Sequence, residues 1–129
     1  MAGVRLGYAL CADGALLERM RAAGQPWAVS ALAQAAGEAA LEETDYSAAL
    51  RALVAAERPR LSAGLAALGC RVMPGEANYL LFYHSGEQLV QRLRARGVLL
   101  RGCANYPGLG PGWYRAAVRT HSENSAFLQ

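Results

Sequence analysis

The chain contains no lysine: all 13 of its basic residues are arginine. No side chain here can therefore form an internal Schiff base. Cysteine is scarce and odd in number, and Cys11, Cys70 and Cys103 make neither a CxxC pair nor metal-ligand spacing with a histidine. That excludes a disulfide framework and a metal centre, and predicts reduced thiols buried as small hydrophobes. Net charge is only +3 and no basic stretch is interleaved with aromatics, so nucleic acid is not an expected partner. No apolar run approaches the roughly 18 residues of a membrane span, and the first twenty residues lack both a basic leader and a small-residue cleavage site. The expectation is a soluble, cytoplasmic protein.

Two catalytic classes lack their motifs as well. There is no GxSxG nucleophile elbow. Asp45, Glu57, Glu76 and Glu87 do not form the paired carboxylates of a glycosidase. The GLGPG run at 108–112 has neither a P-loop lysine nor dinucleotide spacing, and reads as turn chemistry. His84 and His121 have no partner by spacing, and Asn78 opens a strand; capping or surface roles are expected for all three.

What is present is a core-forming sequence: 53% of 129 residues are hydrophobic, the length of one ordinary domain. Residues 3–10 alternate like a strand, and Asp13 caps a helix that ends before Gly24. Residues 27–42 are apolar nearly all round, which predicts a helix buried against several neighbours. With the unpaired strand at 3–10, it predicts a marginally stable chain that associates, as a homodimer or with a missing N-terminal part.

Thr44 or Asp45 caps a longer helix with leucines near the i, i+3, i+4 spacing, a kink at Pro59 and a stop at Gly69. From there the period changes to two. Strands are predicted at 70–73, 78–83, 98–101 and 114–119, with a crossover helix at 86–96 and a final helix opening at Thr120 or Ser122. The fold class is α/β, with a first segment at 1–43 and a compact α+β domain at 44–129. The abrupt opening strand and the final helix cut at Gln129 suggest a piece of a larger fold.

The chemistry concentrates between 101 and 119. Arg101 ends one strand, a glycine-rich turn follows, and Arg115 and Arg119 stand on the next. Four residues apart on a strand, the latter two would share a face roughly 13 Å apart. A guanidinium offers a planar fork of donors suited to carboxylate and phosphate, so this is an anion-binding layout.

Three motifs carry a resemblance. Ala2-Gly-Val-Arg-Leu-Gly-Tyr8 and Pro74-Gly-Glu-Ala-Asn-Tyr-Leu-Leu-Phe82 resemble segments of pyridoxal-phosphate enzymes of the aspartate-aminotransferase fold, including the histidinol-phosphate aminotransferases. Leu100-Arg-Gly-Cys-Ala-Asn-Tyr-Pro-Gly-Leu109, with Tyr114-Arg-Ala-Ala-Val-Arg-Thr-His-Ser-Glu-Asn124, is similar to the threonine-phosphate decarboxylases of the cobalamin pathway.

The resemblance implies the C-terminal small domain of that fold plus the tail end of the large cofactor-binding domain, about the last third to two-fifths of a full enzyme. It implies pyridoxal 5'-phosphate as cofactor, with Arg5 on its phosphate. It further implies Arg115 on the α-carboxylate of a phosphorylated amino acid and Arg101 on a second anion, the side-chain phosphate. The carboxylate arginine would hold the breaking bond perpendicular to the cofactor plane. The Schiff-base lysine, the stacking aromatic and the acidic partner of the pyridine nitrogen would lie upstream of Met1, so no catalytic residue is assigned in this chain. The alternatives are a histidinol-phosphate-aminotransferase-like fragment, or a catalytically silent anion-binding or dimerisation module.

Overall fold

The computed structural model describes residues 2–129 and divides into two compact units, Met1–Ser47 and Ala48–Gln129. In the first, helices α1 (Gly14–Ala23) and α2 (Ala31–Glu42) are each opened by a side-chain cap. Asp13 accepts from the Leu16 amide at 3.0 Å, and Ser30 accepts from the Ala33 amide at 3.2 Å. These contacts satisfy amides that have no carbonyl within the first turn.

Two expectations fail in this unit. Residues 3–10 form no strand. A 3-10 turn spans Ala2–Val4, Arg5 takes φ 58°, and irregular chain follows. A strand is stable only with a neighbour for its amides and carbonyls, and none of the described residues of this unit supplies one. Nor is α2 buried all round. Only Ala33 and Gly37, four residues apart on one narrow stripe, are buried, while Leu32 is 82% exposed. Trp27, outside the helix, is 97% exposed. Cys11 is exposed too, against the expected burial of every thiol; Cys103 is buried and Cys70 intermediate.

The second unit is a four-stranded antiparallel sheet with helices on one face. Its strands are β1 (Arg71–Val72), β2 (Tyr79–Tyr83), β3 (Arg101–Gly102) and β4 (Trp113–Ala117), in the order β1-β2-β4-β3. Helix α3 (Thr44–Ala67) leads into the sheet, α4 (Leu89–Ala95) connects β2 to β3, and α5 (His121–Leu128) follows β4. Pro59 lies inside α3, which runs through it as one helix.

Glycine sets the stops of α3 and α4 where the sequence places them. Gly69 takes φ 81°, the Cys70 amide returns to the Leu65 carbonyl, and the Gly69 amide returns to that of Ala66. Gly97 at φ 78° repeats the arrangement, with Val98 bonding to Leu93 and Gly97 to Arg94. Both are paired six-to-one and five-to-two closures of a last helical turn, which require a left-handed residue.

Alternation along the strands sorts the two faces of the sheet. Leu80 and Phe82 of β2, with Tyr114 and Ala116 of β4, point to the helices and are buried with Leu61 and Leu65 of α3. Leu93 of α4 and Phe127 of α5 pack against this core. Odd-numbered residues of all four strands point the other way, and that open face carries the arginines.

A polar network ties α5 to α3 through Glu57, which is 9% exposed. Its carboxylate accepts from Asn124 Nδ2 at 2.9 Å and from Arg60 at 3.1 Å, and meets His121 Nδ1 at 2.8 Å. Asn124, only 2% exposed, also bonds both backbone groups of Arg119. Replacing it by alanine removes three hydrogen bonds and leaves the Arg119 amide and carbonyl without their side-chain partner, while Glu57 keeps Arg60 and His121, so Asn124→Ala is expected to cost about 2 kcal/mol by urea unfolding. An unchanged unfolding midpoint would contradict the role of this network.

The same corner predicts acid sensitivity. The Asn124 and His121 hydrogen bonds hold the Glu57 carboxyl below its usual range. The Arg119 hydrogen bond, then those of Thr120, lower Glu123 to about 2. Groups depressed in the folded state contribute stability above their unfolded pKa and lose it as pH falls through the folded value. Stability should therefore drop between pH about 4.5 and about 2, and less steeply in Glu123→Gln. Thermal unfolding midpoints across that window measure it; equal slopes in both proteins would contradict it.

Candidate anion-binding site on the open sheet face

Strand register brings Arg101 and Arg115 together. They are directly opposed partners on β3 and β4, so their side chains leave the same face of the sheet. Like charges placed opposite one another destabilise a sheet unless something offsets them. Among the described residues neither guanidinium has a carboxylate within salt-bridge distance.

Instead, each lies over a tyrosine ring. The Arg115 Cζ is 4.8 Å from the Tyr79 ring centroid, and the Arg101 Cζ is 5.7 Å from that of Tyr106. Arg101 also donates from Nη2 to Asn105 Oδ1 at 3.4 Å. Both arginines are exposed. The result is two outward donor forks on one face, supported from below and free of any anionic partner among the described residues, a geometry that suits a ligand with two anionic groups.

Arg119 takes no part in it. β4 ends at Ala117, and the Arg119 Nε donates to Glu123 Oε1 at 2.7 Å. Glu123 completes the N-terminal cap of α5 by accepting from the Thr120 amide at 3.2 Å. The expected sharing of a face by Arg115 and Arg119 is therefore replaced by an Arg101 and Arg115 pair. Arg119 serves the helix cap, and that ion pair raises its own pKa further.

Arg5 belongs to the first unit, where it is exposed and has no ion-pair partner among the described residues. The Gly86 amide donates to His84 Nδ1 at 3.0 Å, a turn-capping contact, whereas His121 has a partner that spacing did not reveal, the Glu57 carboxylate.

Sequence reasoning missed Tyr79, Tyr106 and Asn105. Tyr79 precedes by two the residue that pairs with Arg115, Leu81, and so shares its face; that signal exists only once the β2 and β4 register is known. A third arginine, Arg71, also reaches the open face, 5.1 Å from the Trp113 ring centroid and 5.5 Å from that of Tyr83. Tyr83 and Trp113 pack edge to face at 5.6 Å.

The chain is similar to proteins that handle phosphorylated amino compounds. It is 41% identical over 129 residues to the threonine-phosphate decarboxylase of Salmonella typhimurium, covering 98% of this chain and 35% of that protein. To the histidinol-phosphate aminotransferase of Nocardia farcinica it is 40% identical over 130 residues, covering 99% of this chain and 32% of that protein. It therefore spans about a third of the length of these curated relatives. The crystal structure of the histidinol-phosphate aminotransferase from Clostridium acetobutylicum superimposes with a TM-score of 0.81 at 28% identity, covering 99% of this chain and 40% of that one. The small antiparallel sheet and its helices are thus part of the aspartate-aminotransferase fold. The family model described as aminotransferase class I and II matches residues 1–129, and the chain belongs to that family.

Proposed function

We propose that this chain is the C-terminal segment of a pyridoxal-phosphate enzyme that decarboxylates L-threonine O-3-phosphate in cobalamin biosynthesis, and that it supplies the arginines that grip the substrate. The observation that carries the reading is the opposed Arg101 and Arg115 pair, two outward guanidiniums with no carboxylate partner among the described residues. In the reading, Arg115 takes the α-carboxylate and Arg101, steadied by Asn105, takes the phosphate. Held at both ends by planar donor forks, the substrate keeps one orientation, and that restriction is what chooses which bond is broken.

The family is pyridoxal-phosphate-dependent. When bound, the cofactor supplies an electron sink. The residues here fit one part of holding it: the exposed Arg5 guanidinium is a donor fork for a phosphate. They do not fit its covalent attachment, because the chain has no lysine. The chain by itself is therefore expected to be catalytically silent, the rest of the site coming from the missing N-terminal part or a second subunit of a cytoplasmic homodimer. Residues 1–43 are read as the tail of the cofactor-binding domain and 44–129 as the small domain.

A transaminase is the second reading, favoured by the comparable 40% identity to a histidinol-phosphate aminotransferase. Histidinol phosphate carries a phosphate and no carboxylate, so it would engage Arg101 and leave Arg115 to an amino acid or oxo acid. A chimera separates the two: the first two-thirds of the Salmonella typhimurium decarboxylase joined to this chain. Release of carbon dioxide from threonine phosphate is the expected result. Amino transfer from histidinol phosphate without carbon dioxide release would establish the transaminase instead.

A further inference from the structure

The outer edge of β2 is only partly covered. β1 pairs with Phe82 and Tyr83, and the Met73 amide reaches the Leu81 carbonyl at 2.9 Å. Beyond that point β1 has ended, yet the carbonyls of Ala77 and Tyr79 point to the same side, two residues apart along the strand. Arg58 of α3 fills the gap: its Nη1 donates to the Ala77 carbonyl and, at 2.7 Å, to that of Tyr79. On the other edge the Val118 amide bonds the Asn78 carbonyl at 2.9 Å, and Tyr79 pairs with Ala117. The backbone beneath the Tyr79 ring is thus held from both sides, whereas the residue as a whole remains 40% exposed and its ring lies under Arg115.

We propose that Tyr79, fixed by Arg58, is a positioning residue that holds the Arg115 guanidinium outward for its anion. This rests on the reading that Arg115 grips an anionic group. An arginine side chain is rich in rotamers, and a ligand must otherwise order it on binding. A ring already beneath the guanidinium removes part of that cost through cation–π attraction, without occupying the donor fork. A tyrosine here also keeps a carboxylate away from Arg115, so the fork stays available.

The test uses the 129-residue chain with arginine side chains labelled for NMR, titrated with O-phospho-L-threonine. Tyr79→Val keeps a good strand former at an exposed position, and Tyr79→Phe keeps the ring. In the free protein, Tyr79→Val should remove the ring-current shift of the Arg115 Nε–H signal and leave the backbone amides of α3 and the sheet core in place. It should weaken binding roughly three- to tenfold. Tyr79→Phe should match the parent in both, and Arg58→Ala should reproduce part of the Val effect.

If Tyr79→Val leaves the Arg115 signal and the affinity unchanged while Arg115→Ala abolishes binding, the positioning role is wrong and the Arg115 assignment stands. If Arg115→Ala binds like the parent, the assignment itself falls, and the positioning role for an anion falls with it.

Discussion

Arg115→Ala is expected to weaken binding of O-phospho-L-threonine on the order of 100-fold. A bidentate arginine–carboxylate contact is two charge-assisted hydrogen bonds, and each is worth roughly twice a neutral one. Together they amount to about 3 kcal/mol, which is the stated factor. Arg115→Lys should recover little of it, because an ammonium is a point donor and would not lie flat over the Tyr79 ring as the planar guanidinium does. The substitution should not unfold the unit. Arg115 is exposed and opposed to another cation, so its removal relieves a repulsion in the β3 and β4 ladder. Titration calorimetry beside urea unfolding separates the two effects. Lost affinity with unchanged or slightly raised stability is the expected combination, and lost stability of the same size would mean that Arg115 is a structural residue.

Gly112→Ala should strongly destabilise the second unit, as much as truncation of a core side chain. Gly112 takes φ 88° immediately before β4, and its carbonyl accepts from the His84 amide at 2.9 Å, adding a rung beyond the Tyr83 and Trp113 pair. A left-handed backbone costs a residue with a β-carbon about 1–3 kcal/mol. There is no room for that carbon either: it would lie 2.6 Å from Cε2 of Tyr83 and 3.1 Å from the His84 carbonyl oxygen. The Tyr83 ring is not free to swing aside, since it packs edge to face on Trp113 with Arg71 above both rings. The two effects sum to about 3 kcal/mol or more, a large part of the roughly 4–12 kcal/mol expected for a unit of this size. Gly108→Ala is the matched control, because φ is 82° there but nothing lies within 4 Å of the added carbon. It should cost only the backbone share. Equal losses in the two variants would show that the contact with Tyr83 and His84 carries no weight.

The local signals in this chain were the legible ones. Asp13 as a cap, Gly69 as a helix stop and the change of period after it each act through one or two neighbouring residues, and each is found in place. The class of fold and its cofactor family followed from the motifs around 2–8, 74–82 and 100–124.

What depends on a distant partner was harder to read. Residues 3–10 alternate like a strand, but alternation without a neighbouring strand leaves the backbone unpaired. The period-two pattern of 114–119 ran two residues too far, because it does not register that Glu123 reaches back to take Arg119 for the α5 cap. Apolar composition likewise overstated the burial of α2, whose alanines bury little surface and whose larger side chains, Leu32 and Leu41, remain exposed.

At the candidate site, Arg101 and Arg115 were each recognisable as anion-binding side chains. That they stand opposite one another is a property of β3 and β4 register, set by the glycine-rich connection from 103 to 112 and visible only in three dimensions. Tyr79 and Tyr106, which lie beneath the two guanidiniums, had no signal of their own for the same reason.

The central claim is that Arg101 and Arg115 act together on one ligand with two anionic ends. It is tested most directly by following both Nε–H signals of the 129-residue chain during titration with O-phospho-L-threonine, alongside L-threonine and inorganic phosphate. The account predicts that both signals move on one saturation curve with the phosphorylated amino acid, that L-threonine moves chiefly Arg115, and that phosphate moves chiefly Arg101. Two signals that stay still, or that move with unrelated midpoints, would contradict it.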